Sequence, residues 1–161
     1  FDDAKYGRPS SRPVVEMTLP SAVDPTVAPP GRHRDNLFVQ YAPYRLAEGT
    51  GDQTKEAFAD RVLDVVEEYA PGFKKSVVAR QVVSPLDLER EFGLTGGNIF
   101  QGAMTIPQLF SMRPLPGFAD YRTPVRGLYL CGAAAHPGGG VMGACGWNAA
   151  GEMLRDARRG R

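Results

Sequence analysis

Residues 128–144 read LYLCGAAAHPGGGVMGA, and this stretch carries the most informative pattern of the chain. Its first four residues, 128–131, are continuously apolar and predict a short strand that is buried on both faces. A glycine-rich loop follows over residues 132–140, and a helix is predicted from Val141 to about Arg158. A strand, a glycine-rich loop and a helix in this order are typical of nucleotide sites in α/β proteins.

Gly138, Gly140 and Gly143 satisfy the pattern G-x-G-x-x-G, but they lack the context of a dinucleotide-binding fingerprint. In that motif the glycines follow the strand at once, whereas residues 132–137 intervene here. The motif also needs a second strand with an acidic residue about 20 positions further on. The residues after Gly143 form only the predicted helix and a short tail.

The loop nevertheless points to a ligand. Glycines let the backbone approach another group closely, and a helix that starts at Val141 presents free N–H groups and a partial positive charge. Such an end suits a phosphate, or a flavin carbonyl that gains negative charge on reduction. The alternative is a tight strand-to-helix connection in which Trp147 is a core residue and His136 an ordinary loop residue.

The rest of the chain mixes strands and helices. Alternating and β-branched residues predict strands over residues 14–19, 36–41 and 76–83. A helix with the 3.6-residue period starts at a cap on Asp52 or Thr54 and ends at Pro71-Gly72. Ser84 is predicted to cap a short helix over residues 85–92. The fold class is therefore α/β or mixed α+β, with a mixed sheet and flanking helices.

Composition excludes several kinds of site. The chain has 161 residues, 42% of them hydrophobic, and a formal net charge of +1, which gives no electrostatic case for nucleic acid or an anionic membrane. No run reaches the roughly 18 apolar residues of a membrane-spanning helix. Cys131 and Cys145 are too few for a disulfide framework or a zinc cluster, so we expect buried reduced thiols, no metal and a cytoplasmic location; a mitochondrial location stays open.

Several motifs resemble one family. They are LPSxxDPTxAPPG (residues 19–31), YAPGFK (69–74), DLERxFGLxGGNIF (87–100), Arg113-Pro114 and the glycine-rich stretch at 128–144. In this order they resemble the phytoene desaturase-like and carotenoid isomerase-like FAD oxidoreductases. The resemblance implies a two-domain, amine-oxidase-like FAD-binding fold, and the chain starts with Phe1. We therefore expect a C-terminal fragment: residues 1–122 from the substrate domain, and residues 123–161 as the last strand, glycine-rich loop and helix of the FAD domain.

The resemblance also implies site residues. Gly132 and Ala133 would lie near the pyrophosphate or ribityl chain, and Ala133 stands where related amine oxidases carry an acid. The backbone of Gly140, Val141 and Met142 would face the pyrimidine edge of the flavin. Gly143 and Ala144 would open the helix. Phe100 and Met104 can line a channel for a small apolar substrate that gives a hydride to the flavin, or can be core. No catalytic side chain is identified.

Three expectations follow for the fragment. Its expected partner is an N-terminal half that carries the dinucleotide-binding motif. Without that half, we expect the fragment to bind FAD weakly or not at all. An apolar face left open favours homo-oligomers. Two other functions stay open, a non-enzymatic interaction module that keeps the fold and an anion-binding domain that uses the helix N-terminus at Val141.

Overall fold

The structure is a computed structural model that describes residues 1–160. The chain divides into two compact units, Phe1–Gly97 and a second unit that begins at Asn98. Helices and strands are both present, which confirms the mixed fold class. The functional division at residue 122 stays a prediction.

The first unit contains a two-stranded antiparallel sheet. After a short helix α1 (Asp2–Lys5), strand β1 (Val14–Thr18) pairs with β2 (Asn36–Gln40). Val15 lies opposite Val39 in this register. Each strand ends one residue earlier than predicted. The proline-rich link between them contains two single turns of 3₁₀ helix, Pro20–Ala22 and Pro25–Val27.

Helix α2 (Gly51–Tyr69) is the longest element of the unit and buries Val62 and Leu63. Its cap is Thr50 rather than the predicted Asp52 or Thr54. The Thr50 hydroxyl accepts from the Gln53 N–H at 3.4 Å, and the Gln53 side chain accepts from the Thr50 N–H at 3.0 Å. This reciprocal pair satisfies two donors that a helix start leaves free.

The strand predicted over residues 76–83 is wrong. Helix α3 (Phe73–Ser76) takes its first residue, and residues 77–84 form no regular element. The Glu67 carboxylate accepts from the N–H groups of Gly72 and Lys74 at 2.7 and 2.8 Å, which turns the chain into α3. The valines that follow have no strand beside them within residues 1–160, and a strand needs a partner.

Helix α4 (Pro85–Phe92) forms where it was predicted, with Ser84 as its cap. Asp87 accepts from the Ser84 N–H at 2.8 Å and from Lys55 of α2 at 3.0 Å, so one carboxylate joins the two helices. These bonds, led by that of the Ser84 backbone, lower the pKa of Asp87 to about 2. Gly97 passes so close to α4 that a Cβ there would lie 2.3 Å from the Pro85 carbonyl oxygen.

The second unit has one regular helix, α5 (Ala144–Arg158), within the described residues. The strand predicted over residues 128–131 is reduced to a single bridge between Tyr129 and Arg122. Leu128 and Leu130 remain 51% and 37% exposed, so the described residues do not bury this segment on both faces. Two single turns of 3₁₀ helix, Ile106–Gln108 and Phe110–Met112, precede this segment.

The helix predicted from Val141 begins three residues later, at Ala144. Val141 has a φ of 58°, and Gly143, the N-cap, has a φ of 68°. Both values are left-handed, and a right-handed helix cannot include them. The helix N-terminus is therefore at Ala144, which corrects its placement at Val141 in the anion-binding alternative.

Asp87 should make the first unit sensitive to acid. Its folded pKa of about 2 lies below the ordinary value of 3.8, so its stabilisation is complete above that ordinary value and is lost as the pH falls towards 2. The contribution is on the order of 2 kcal/mol. We expect Asp87→Asn to lower the melting temperature at neutral pH and to lose less on acidification, as followed by circular dichroism.

Asp52→Asn is the matched control, because Asp52 forms an exposed ion pair with Arg90 at 2.8 Å. It should keep the acid sensitivity of the unmodified chain. Equal acid sensitivity in Asp87→Asn and the unmodified chain would contradict the assignment.

Candidate functional site

A small polar and apolar core supports the glycine-rich loop. The loop residue Ala135 is buried in one cluster with Tyr121 and with Ala149 of α5. The Tyr121 hydroxyl donates to the His136 carbonyl at 2.7 Å and accepts from the Asn148 side chain at 2.7 Å. This hydroxyl therefore ties the loop to α5.

Cys145 adds a second tie between the loop and α5. It is 7% exposed, and its thiol donates to the Gly138 carbonyl at 3.3 Å and lies 3.5 Å from the Ala135 carbonyl oxygen. Cys131, in contrast, is exposed, so the expectation that both thiols are buried is wrong for Cys131. Within the described chain, no other element packs over Cys131.

Arg113 is the largest fully buried side chain of the molecule, at 2% exposure. Its guanidinium donates to the carbonyls of Phe100 at 2.5 Å and Ala133 at 2.6 Å. Longer contacts of 3.4 Å reach the carbonyls of Ala103 and Gln108. Sequence reasoning noted Arg113 only as part of a motif, because its acceptors are backbone atoms that leave no pattern in the sequence.

The predicted flavin-facing residues lie mostly at the surface. Ala133 and Ala144 are half-buried, and five positions are exposed: Gly132, Gly140, Val141, Met142 and Gly143. Val141 is fully exposed, at 107%. The loop folds back on itself, since a Cβ on Gly139 would lie 3.4 Å from the Ala133 Cβ.

The predicted substrate residues adjoin this loop. A Cβ on Gly138 would lie 3.4 Å from Met104 Cε, and one on Gly139 would lie 3.9 Å from a Phe100 ring carbon. Phe100 and Met104 are 42% and 43% exposed, so the described residues do not make them core. Phe100 and Met104 thus adjoin the loop at Gly139 and Gly138; the roles of the predicted substrate and flavin residues stay predictions.

Three glycines have no structural reason within the described chain: Gly132 and Gly146 near the loop, and Gly151 further along α5. Gly132 and Gly146 lack a left-handed φ, and a Cβ would meet nothing closer than 3.9 Å at Gly132 and nothing within 4 Å at Gly146. Gly146 also lies inside α5, where glycine costs roughly 1 kcal/mol relative to alanine. Bare backbone at these places fits close approach by another group.

Backbone donors line the same surface. The N–H groups from Gly139 to Gly146 donate to no acceptor in residues 1–160. Those of Ala144 to Gly146 also carry the positive end of the α5 dipole, and no described side chain caps this end. The surface can therefore accept an electron-rich oxygen.

An ionic network fixes the other end of α5. Arg122 forms ion pairs with Asp120, Glu152 and Asp156 at 2.6 to 2.8 Å. The bonds to Asp156, then to Asp120 and Glu152, raise the pKa of Arg122. The Tyr129 hydroxyl donates to Asp156 at 2.9 Å, and this bond raises the pKa of Tyr129.

Trp147 corrects a further expectation. The alternative interpretation makes Trp147 a core residue, yet it is 83% exposed on the outer side of α5. His136 lies in the loop, as the alternative interpretation proposed, and its ring is 5.9 Å from that of Phe110. Among residues 1–160, no cluster of three metal-binding side chains occurs, and no helix is long and apolar enough to span a membrane.

The similarity to known proteins covers the glycine-rich loop and the residues that support it, because it extends over nearly the whole chain. Pyridine nucleotide-disulfide oxidoreductase domain-containing protein 2 of Mus musculus is 58% identical over 160 residues, which make up 98% of this chain and 28% of that protein. The family resemblance predicted from the sequence is confirmed.

More distant relatives extend the comparison. A limonene dehydrogenase polypeptide of Castellaniella defragrans is 30% identical over 89% of this chain and 27% of that protein. A 4,4'-diapophytoene desaturase of Staphylococcus aureus is 30% identical over 84% of the chain and 27% of the relative. The chain thus spans a little over a quarter of the length of these relatives. No family model and no solved structure matches it.

Tyr121 should be needed for the order of the loop. Tyr121→Phe leaves the His136 carbonyl and the Asn148 amide without their shared partner, which costs about 1–3 kcal/mol. We expect a lower melting temperature of the second unit and faster labelling of the Cys145 thiol by a disulfide reagent, measured with Cys131→Ser in the background. Tyr6→Phe, at an exposed tyrosine, should change neither, and an unchanged Tyr121→Phe chain would contradict the role.

Proposed function

We propose that this chain forms a flavin-facing part of an FAD-dependent oxidoreductase of the dehydrogenase or desaturase type. The observation that carries the proposal is the run of free N–H groups from Gly139 to Gly146 beside glycines that the chain itself does not require. The similarity to oxidoreductases over nearly the whole chain supports it.

The residues present fit a flavin at this surface. The N–H groups of Ala144, Cys145 and Gly146 can donate to a carbonyl oxygen, and their charge favours that oxygen when it becomes anionic. Gly132 and Gly146 leave room for a planar ring or a phosphate chain to approach. Ala133 has no acid to offer, so polar contacts at that point come from backbone.

Bound FAD would supply the hydride acceptor, as flavins do in such enzymes. The chain itself would bind and orient. Phe100 and Met104 offer exposed apolar surface next to the loop, which suits a small apolar substrate. The described residues of this chain assign no acid–base pair, so the acceptor for the substrate proton is left to the further polypeptide or to water.

The exposed surface supports completion by further polypeptide. The chain exposes 11371 Å². Two separate compact globules of the sizes of its two units would together expose about 9,400 Å².

In the proposal, residues 1–122 belong to a substrate domain and residues 123–161 to the FAD domain, and an additional dinucleotide-binding half holds the ADP portion. Without that half, exposed apolar surface favours self-association.

Visible absorbance tests the proposal. We expect a protein that also contains the dinucleotide-binding half to purify with flavin absorbance, and the 161 residues alone to bind FAD weakly or not at all. A colourless longer protein that takes up no added FAD would overturn the proposal. Binding of inorganic phosphate by the 161 residues alone would favour the anion-binding alternative instead.

Gly146 gives a sharper test, because stability and binding should change in opposite directions. Gly146→Ala should stabilise α5 by up to about 1 kcal/mol, since the helix gains a better residue in open space. The same methyl group would enter the flavin contact and raise the Kd for FAD about tenfold or more. Melting curves and flavin fluorescence measure the two effects.

Gly151→Ala is the matched control. Gly151 also lies in α5 with nothing within 4 Å of a Cβ, but it is more than a turn beyond the helix start. It should gain the same stability and leave FAD binding unchanged. Equal FAD affinity in both variants and the unmodified protein would refute a flavin contact at Gly146.

A further inference from the structure

Arg113 is a buried cation without a carboxylate partner among the described residues. Its contacts within residues 1–160 are all backbone carbonyls. Burying a charge is costly unless hydrogen bonds compensate it. A conformation that keeps Arg113 buried must therefore keep those carbonyls in place.

We infer that Arg113 is a positioning residue that couples the segment bearing Phe100 and Met104 to the glycine-rich loop. The meaning of these segments as substrate and flavin surfaces rests on the proposed function. The coupling itself rests on the contacts alone.

One nitrogen makes the link. Arg113 Nη2 donates to the Phe100 carbonyl at 2.5 Å and to the Ala133 carbonyl at 2.6 Å. An Nη2 group has two protons, so each carbonyl can receive one. Nε adds a 3.2 Å bond to the same Ala133 oxygen. Displacing either segment therefore breaks a charge-assisted hydrogen bond and leaves the buried guanidinium without one of its acceptors.

The second guanidinium nitrogen extends the link along the chain. Nη1 lies 3.4 Å from the carbonyls of both Ala103 and Gln108, on either side of Met104. The planar fork thus reaches three backbone segments at once. A lysine ammonium is a point charge on a flexible stem and cannot reproduce this arrangement.

Two glycines lie beside the guanidinium. A Cβ on Gly102 would lie 3.6 Å from Arg113 Nη1, and one on Gly138 would lie 3.7 Å from Nε. Both glycines have a φ between 100° and 150°, a region that side chains disfavour. Glycine at these two positions therefore permits the backbone conformation beside Arg113 in both segments.

The coupling can be measured without a cofactor. Labelling of the Cys145 thiol, in a Cys131→Ser background, reports the loop, because that thiol donates to the Gly138 carbonyl. Chymotrypsin cleavage after Phe100, followed by mass spectrometry, reports the other segment. We expect Arg113→Lys to raise both rates about tenfold or more, as loss of charge-assisted bonds predicts. Arg155→Lys, at a 62%-exposed side chain paired with Glu152, should change neither.

Chemical rescue covers the case in which the variants unfold. Arg113→Ala should regain slow labelling and slow cleavage with added ethylguanidinium, and not with ethylammonium at the same concentration. A response of only one segment, no rescue, or equal rescue by both cations would overturn the inference.

A flavin measurement separates this inference from the proposed function. In the flavin-loaded longer protein, Arg113→Lys should shift the visible spectrum of the bound flavin and raise the Kd for FAD, with the helix content unchanged. An unchanged spectrum and Kd would show that Arg113 does not position the flavin surface. If the unmodified protein binds no flavin, the proposed function fails, while the two rates still decide the coupling.

Discussion

The guanidinium of Arg113 holds the second unit in a way that its few buried apolar side chains cannot. Among residues 98–160, only Tyr121, Ala135 and Ala149 form an apolar cluster, and two of them are alanines that bury little area. Hydrogen bonds to backbone carbonyls therefore determine much of the conformation of this unit. Arg113 donates to the Ala133 carbonyl, and the Tyr121 hydroxyl donates to the His136 carbonyl. Such bonds are directional and costly to leave unmade. They fix the path of a loop whose glycines would otherwise permit many conformations.

Local signals explain why much of the first unit could be predicted from sequence. Helix α4 follows from Ser84, Pro85 and Asp87, which act within four residues of one another. The two paired strands follow from their alternation, and the errors there amount to one residue. The strand predicted over residues 76–83 failed because its valines meet no partner within the described chain, and strand formation depends on pairing that a single segment cannot show.

The candidate site was predictable in composition but not in conformation. The run of glycines identified the loop, and motif similarity identified the family, yet neither showed that Val141 adopts a left-handed φ and delays α5 to Ala144. Arg113 was visible only as a dipeptide, since its acceptors are carbonyls at residues 100–133 that any side chain could accompany. Trp147 looked like core because of its size, whereas its exposure depends on what lies against α5.

The outer face of α5 is where further polypeptide of the proposed enzyme would pack. The helix buries Cys145, Ala149 and Asp156 on one side, and its other side exposes Trp147 and Leu154 at 83% and 60%. A surface helix ordinarily turns a polar face outward, and a helix that is apolar on both sides belongs in an interior. Covering that face would also remove water from the neighbouring N–H groups at the helix start. Because electrostatic interactions strengthen as the surroundings become less polar, the same covering polypeptide would make these donors better partners for a flavin oxygen. Completion of the fold and formation of the cofactor site would then be one event.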